Sequence, residues 1–303
     1  MVRAGVRSKD VALATLVLFV LGCGGSDAAV APTGPPQVRH FTIDIRYVVR
    51  LSSDEERVVA AAAERWTRAL RNDIGSFQLS SDANGCFVGQ PALNEQHRNL
   101  LIFVSVGNVD GPGGIVAYTQ VCAQSAADLL PIVSHIRLDA ADLASIESRA
   151  LLSSIVTHEM AHALGFNPQV YTRKGFVAGG TADPYFTGLA ARTEFVRRVP
   201  SYTGNSVPLE DVGNLGDQSS HWRWSAFGDE LMIGSLLPGY TYPLSTVTLG
   251  LFKDIGYDVD MSVAEPYPVL SIRSMPVASG RVLLGNDVVA PRTSQVLRPA
   301  SPE

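Results

Sequence analysis

The sequence predicts an α+β fold, and three observations carry that prediction. An alternating apolar and polar stretch at Phe41–Tyr47 is followed by an amphipathic helical stretch. Short apolar runs separated by turn residues come next, and a second, nearly all-apolar helix follows them. Strand, helix, several strands and then helix is the order of an α+β domain. The chain has 303 residues, enough for one large domain or two small ones. At 46% hydrophobic and 17% charged it is not mainly disordered. A formal net charge of −5 argues against nucleic acid or an anionic membrane face as the main partner. Three cysteines are too few for a disulfide scaffold, and no apolar run reaches the ~18–20 residues that span a bilayer.

Residues 1–22 read as a signal peptide, with Arg3, Arg7 and Lys9 ahead of the apolar run Val11 to Leu21. Val20-Leu21-Gly22-Cys23 resembles the bacterial lipoprotein box, which makes Cys23 the expected lipid-bearing residue. Residues 23–40 then form a flexible tether, with GGSDAAVAPTGPPQ at 24–37. Export sets the reading of the other two cysteines. Cys86 and Cys122, 36 apart, are expected to pair in an oxidising compartment, the alternative being two buried free thiols. Closing that loop is worth roughly 4 kcal/mol in the chain-entropy view.

Residues 41–165 form the expected N-terminal subdomain. Its first strand is Phe41–Tyr47, and Ser53 with Glu56 makes a capping box for a helix running to about Arg71. Val58, Ala62, Trp66 and Ala69 line the apolar stripe of that helix. Leu100 to Val106 reads as a central strand, Gly111 to Gly114 as a turn, and Ile115 to Val121 and Ile136 to Leu138 as further strands. The second helix covers roughly Glu147 to Leu164. Residues 166–262 form a mostly irregular C-terminal subdomain, closed by a helix near Ser245 to Asp254. Residues 263–303 carry several prolines and read as a weakly packed tail or a few late strands.

The chemistry sits at His158-Glu159-Met160-Ala161-His162. Histidines four apart lie on one helical face, one turn from each other, so both imidazoles reach one ion. Neutral imidazole suits zinc, and a catalytic site wants three protein ligands with water in the fourth position. Glu159 stands one step from the first histidine, where its carboxylate can take a proton from that water. Leu151 and Ile155 share the histidine face, and Leu152, Val156, Met160 and Ala163 share a neighbouring one. A helix apolar on nearly all sides is buried, and two buried histidines are satisfied together by a shared metal.

The residues alone leave the third ligand open. Gly165 ends the helix three residues after His162, and the short metzincin pattern would put a histidine at position 168, where Pro168 stands. The other histidines are His40, His97, His135 and His221. Gly180-Thr181-Ala182-Asp183 resembles the aspartate-ligand motif of the deuterolysin group, and Glu194 is a candidate of the thermolysin kind.

A later stretch resembles the leishmanolysin family of zinc metallopeptidases. It runs through Leu209-Glu210-Asp211, Gly213 and Gly216, Ser220-His221-Trp222-Arg223 and Asp229-Glu230-Leu231-Met232, and continues through Tyr240 to Tyr257. The resemblance extends from roughly Leu100 to Asp260. It implies a metzincin-like zincin fold whose third histidine is displaced by an insertion after Gly165. It further implies that His158, His162 and His221 hold one Zn2+, that Glu159 is general base and acid, and that Met232 forms the Met-turn. Trp222 and Phe227 are expected to pack, and the Ile115 to Val121 strand to be the cleft edge where an extended peptide adds as a strand. The sequence departs from the family in having few cysteines, only 17 residues from Cys23 to His40, and 40 or so residues after the closing helix. The expectation is a minimal bacterial member without a cysteine switch.

The function expected is thus a secreted or surface-tethered zinc endopeptidase of the bacterial cell envelope. Its partners are protein or peptide substrates, and the membrane only through Cys23. The alternative is an inactive zincin-like lipoprotein acting as a binding or scaffold module. Intact Glu159 argues against the alternative, since a binding module has no need of the base.

Overall fold

The computed structural model describes residues 40–199, 206–212, 218–267, 282–286 and 295–298. The signal sequence, Cys23 and all of the tether but His40 lie outside the described residues. The first half of the chain runs β1 (Ile43–Tyr47), α1 (Ser53–Ala69), β2 (Ser76–Ser81), β3 (Leu93–Arg98), β4 (Leu100–Gly107), β5 (Ile115–Ser125), β6 (Pro131–Asp139), α2 (Leu143–Ser148) and α3 (Leu152–Ala163). The second half adds α4 (Pro168–Arg173), β7 (Val177–Ala178), β8 (Tyr185–Phe186), α5 (Leu189–Arg198), β9 (Val207–Pro208), α6 (Trp224–Phe227), β10 (Ser235–Leu236), α7 (Thr246–Ile255), β11 (Val282–Asn286) and β12 (Gln295–Leu297).

The main sheet has the order β1-β4-β6-β5. β1, β4 and β6 are parallel, and β5 is antiparallel to β6. The Leu100–Val106 run is apolar without alternation because both its faces are covered. Leu100, Ile102 and Val104 enter the larger core with the helices, while Leu101 and Phe103 enter a smaller one on the opposite face. That smaller core lies under the β2–β3 hairpin, which the sequence pattern did not reveal, and takes in Phe77, Leu79 and Cys122. Among the described residues, no helix is long and apolar enough to cross a membrane.

Two helical expectations shift. Overlapping Ser-x-x-Glu pairs exist at 52/55 and 53/56, and the structure uses the first: Ser52 caps the Glu55 amide and the Glu55 carboxylate reaches back to Ser52. The buried stripe accordingly takes Val59 with Ala62, Trp66 and Ala69, leaving Val58 half-buried. The second helix is two helices. Ala150 takes a left-handed conformation (φ 55°), and the Leu151 amide closes back on the Ile146 carbonyl, ending the first before α3 begins. This break re-aims α3, which is buried continuously from Ile155 to Ala163. Trp66 of α1 ties to it through an Nε1–H donated to the Thr157 carbonyl at 3.0 Å.

The region read as mostly irregular contains α4 and α5. α5 has a mixed surface and is ordered by tertiary contact: both oxygens of Asp254, on α7, accept its first amides, Ala190 and Ala191, at 2.8 and 2.9 Å. Among the described residues of the tail, 282–286 and 295–297 form late strands, and most of the rest of it lies outside the described residues. β11 and β12 both pair parallel with β5, and β10 pairs antiparallel with β11. The resemblance implies that Ile115–Val121 is an open cleft edge; here β11 occupies it at Ile115, Tyr118 and Thr119.

Candidate metal centre

α3 carries His158 and His162 one turn apart, both fully buried. It ends at Gly165, whose φ of +113° favours glycine; a Cβ there would also sit 3.0 Å from Ile255 Cδ1. That turn presents the Phe166 carbonyl to His162 Nδ1 at 2.6 Å. The Leu231 carbonyl meets His158 Nδ1 at 2.6 Å. Each carbonyl can only accept, so each Nδ1 carries the proton and each Nε2 presents its lone pair inward.

The inward atoms converge with those of His221. His158 and His162 Nε2 are 2.9 Å apart, His162 and His221 Nε2 3.3 Å, and His221 and His158 Nε2 3.2 Å. Zn–N bonds of about 2.0–2.1 Å in a tetrahedral site separate ligand nitrogens by roughly 3.3 Å, so the donor set fits one zinc ion. Among the described residues these three are the only cluster of metal-ligating side chains. Burial holds His158 well below the ordinary imidazole range, helped by its two histidine neighbours, and pushes His162 down to about 4. Both are neutral at neutral pH, the form that binds metal.

His221 arrives from a loop. Its carbonyl accepts the Glu210 amide at 2.9 Å, and the next residue, Trp222, makes single bridges to Leu209 and Ile233. The 231–234 stretch then supports two of the three histidines, His158 and His221. The Leu231 carbonyl holds His158, the Met232 carbonyl accepts the Trp222 amide at 2.8 Å, and Gly234 lies flat against His221. A Cβ at Gly234 would stand 3.1 Å from His221 Nδ1. Met232 itself is fully buried.

Glu159 is buried beside the first histidine, and Thr119 of β5 lies against it. The Thr119 hydroxyl is 2.6 Å from Glu159 Oε2 and 2.9 Å from the Glu159 carbonyl oxygen. The rival ligands are elsewhere. Asp183 pairs with Arg223 at 2.8 Å, and Glu194 with Arg197 one helical turn away. His135 stacks on Phe87 with ring centres 3.6 Å apart, and His97 lies 4.0 Å from Asp44. Cys86 and Cys122 are disulfide-bonded, with Cα atoms 5.5 Å apart.

Three contributors were not singled out from sequence. Thr119 is the one aliphatic hydroxyl in the mostly apolar start to β5, IVAYT, which is the signal that marks it. Glu230 is fully buried, and its carboxylate accepts from the Met232 amide (2.5 Å), the Ser245 hydroxyl (2.7 Å) and the Thr248 hydroxyl (2.5 Å). Thr248 in turn accepts the Trp222 indole N–H at 2.8 Å, so one carboxylate joins the 230–232 turn, the start of α7 and the neighbour of His221. Gly234 is the third, and nothing in the sequence around it distinguishes it from any loop glycine.

Comparison with known proteins agrees with this geometry. The sequence pattern of the leishmanolysin family matches residues 95–274, which include all three histidines. Leishmanolysin of Leishmania major is 31% identical over 275 residues, covering 88% of this chain and 42% of that protein. Leishmanolysin of Leishmania amazonensis is 34% identical over 171 residues, 54% of this chain and 28% of that protein. A human protein, ciliated left-right organizer metallopeptidase, is 27% identical over 267 residues, 80% of this chain and 33% of that protein. The chain thus spans less than half the length of these relatives. Its mixed α+β architecture and three-histidine site are of the kind typical of zinc metzincins, and the chain belongs to the leishmanolysin family.

Proposed function

We propose that the protein is a zinc-dependent endopeptidase. The observation that carries this reading is the convergence of three neutral imidazole Nε2 atoms beside a buried carboxylate on the same helix. His158, His162 and His221 would hold one zinc ion, which would supply Lewis acidity and an activated water at that point. Glu159 takes one proton from the water as its oxygen bonds to the scissile carbonyl carbon. It returns that proton to the departing nitrogen as the C–N bond breaks, so the carboxylate ends as it began. Thr119 fixes Oε2 and thereby the direction in which Glu159 works. Met232 serves as the Met-turn, its backbone bonds supporting the floor on which His221 rests. Residues 41–165 and 166–262 supply the two walls of the cleft.

The Cys86–Cys122 bond is one that forms and persists in an oxidising compartment. With the basic start, the apolar run 11–21 and Cys23, this supports an exported protein of the bacterial envelope, anchored by lipid at Cys23.

The test compares the parent with Glu159→Gln, in zinc content and in casein cleavage with and without chelator. The parent should hold one zinc per chain and lose activity to chelator. The variant should keep its zinc and lose about 10³-fold in rate, since the amide cannot carry the proton. Full zinc loading with no cleavage by the parent would leave a binding module instead.

A further inference from the structure

The strand β11 lies between β5 and β10, beside the metal centre. On one side it pairs with β5, Leu283 opposite Ile115, Gly285 opposite Tyr118 and Asn286 opposite Thr119. On the other it pairs with β10, Val282 opposite Leu236 and Leu283 opposite Ser235. The Leu284 amide donates to the Gly234 carbonyl at 3.2 Å, and Leu284 is only 1% exposed. Both neighbours belong to the metal centre: Thr119 holds Glu159, and Gly234 lies against the His221 ring. β12 takes the next part of the same edge, opposite Ala123 to Ser125. The matched family region stops at residue 274, before either strand.

A strand edge offers each backbone N–H and C=O to one partner strand at a time. A peptide reaching the metal centre along β5 and the segment 231–236 needs the groups that β11 now occupies. We propose that Val282–Asn286 is a built-in competitor for the peptide slot, so that a peptide binds only as this segment leaves. The proposal rests on the peptidase reading for the identity of the peptide, and it names the regulation of that same site. The segment is suited to displacement. It is five residues long, and it is held by backbone pairing to β5 and β10 and by the buried Leu284 side chain. Being tethered, it competes at a high effective concentration without needing high affinity. A free peptide's apparent affinity is then weakened in proportion to the fraction of chains in which the slot is still occupied.

The experiment uses the full chain loaded with zinc, and an extended peptide hydroxamate as the probe, which binds without being turned over. Leu284→Asp puts a carboxylate into a buried apolar seat and should expel the segment. The variant should bind the probe about tenfold more tightly than the parent, and its amides at 115–119 should exchange hydrogen faster. Leu284→Pro, which removes the N–H given to Gly234, should do the same and serves if the aspartate chain does not fold. A synthetic peptide of residues 281–288 should weaken probe binding to either variant. Equal probe affinity in parent and variant, or equal exchange at 115–119, overturns the proposal. Casein cleavage by the same samples is scored separately, so a failure of the peptidase reading shows there and not in the binding ratio.

Discussion

His158 and His162 ride on one helix, whereas His221 lies in a loop and is held by single bridges. The first pair inherits its spacing from helical geometry, and α3 is buried over the length that carries them. Their Nδ1 atoms are fixed by two carbonyls, one of which comes from the turn at Gly165. His221 is placed from outside any regular element. Its position depends on the Glu210 amide, on Trp222 pairing with Leu209 and Ile233, and on the buried Glu230 carboxylate that reaches Trp222 through Thr248. One wall of the centre is therefore set by local structure, and the other by a polar network whose members lie far apart in sequence. The regular wall should tolerate distant substitutions that the loop wall does not.

The largest effect should come from removing the loop-borne ligand itself. His221→Ala should leave a two-histidine site that retains zinc weakly and cleaves almost nothing, because a catalytic zinc needs three protein ligands. Asp183→Ala and Glu194→Ala should keep one zinc per chain, since both carboxylates are engaged with arginines elsewhere. Metal content by mass spectrometry under native conditions reads all three. Loss of zinc from Asp183→Ala with retention in His221→Ala would move the site to the aspartate-ligand class.

The next effect tests whether the network governs the loop wall selectively. Glu230→Ala strips the acceptor from the Met232 amide and from the Ser245 and Thr248 hydroxyls inside the core. Stranding those donors should cost about 4 kcal/mol of stability, and loosening His221 should weaken zinc by about 10–100-fold. Trp66→Phe, which removes the indole bond to α3, is the matching change on the other wall. It should cost about 1–2 kcal/mol and leave zinc affinity unchanged. Denaturant titration of the metal-free chains and a competitive zinc titration separate the two quantities. Equal losses of zinc affinity would erase the distinction between the walls.

The same division explains what was legible in the sequence. The four-strand core, α1, α3 and α7 announce themselves through periodicity, capping pairs and apolar runs, because local pattern and tertiary role agree there. The His158–Glu159–His162 unit is legible for the same reason: its geometry is helical. His221 was reachable only through resemblance, since no local rule places a loop histidine 59 residues from His162 against it. Glu230 was visible as a letter in Asp-Glu-Leu-Met, but its role depends on Ser245 and Thr248, which no spacing connects to it. The β2–β3 hairpin escaped notice because β3, Leu-Asn-Glu-Gln-His-Arg, is mostly polar and shows little alternation. The seat of β11 depends on two pairings more than 45 residues away, beyond any local signal.

The smallest effect concerns acid, where two buried groups, one on the sheet and one beneath the loop wall, should act with opposite sign. His135 on β6 is fully buried, stacked on Phe87 with Nε2 2.7 Å from the Ser105 hydroxyl. Burial, with Arg137 nearby, pushes it down to about 3. Its folded value lies below the unfolded ~6.5, so the unfolded chain binds more protons between those limits. The stability tied to neutral His135 is complete above about pH 6.5 and is lost as pH falls toward 3, about 3 kcal/mol of it by pH 4.5. Glu230 is shifted the other way, raised by burial against its hydrogen bonds. There the folded chain binds the proton more readily, so acid relieves a cost and stability rises as pH falls through its raised value. Unfolding free energies of the metal-free chains at pH 7 and 4.5 should therefore change less in His135→Gln than in the parent. In Glu230→Gln they should fall more steeply. His158 and His162, also held neutral by burial, contribute the His135 sign in every chain and cancel from the comparison. Parallel pH profiles for parent and His135→Gln would mean that buried His135 carries none of the acid sensitivity of the fold.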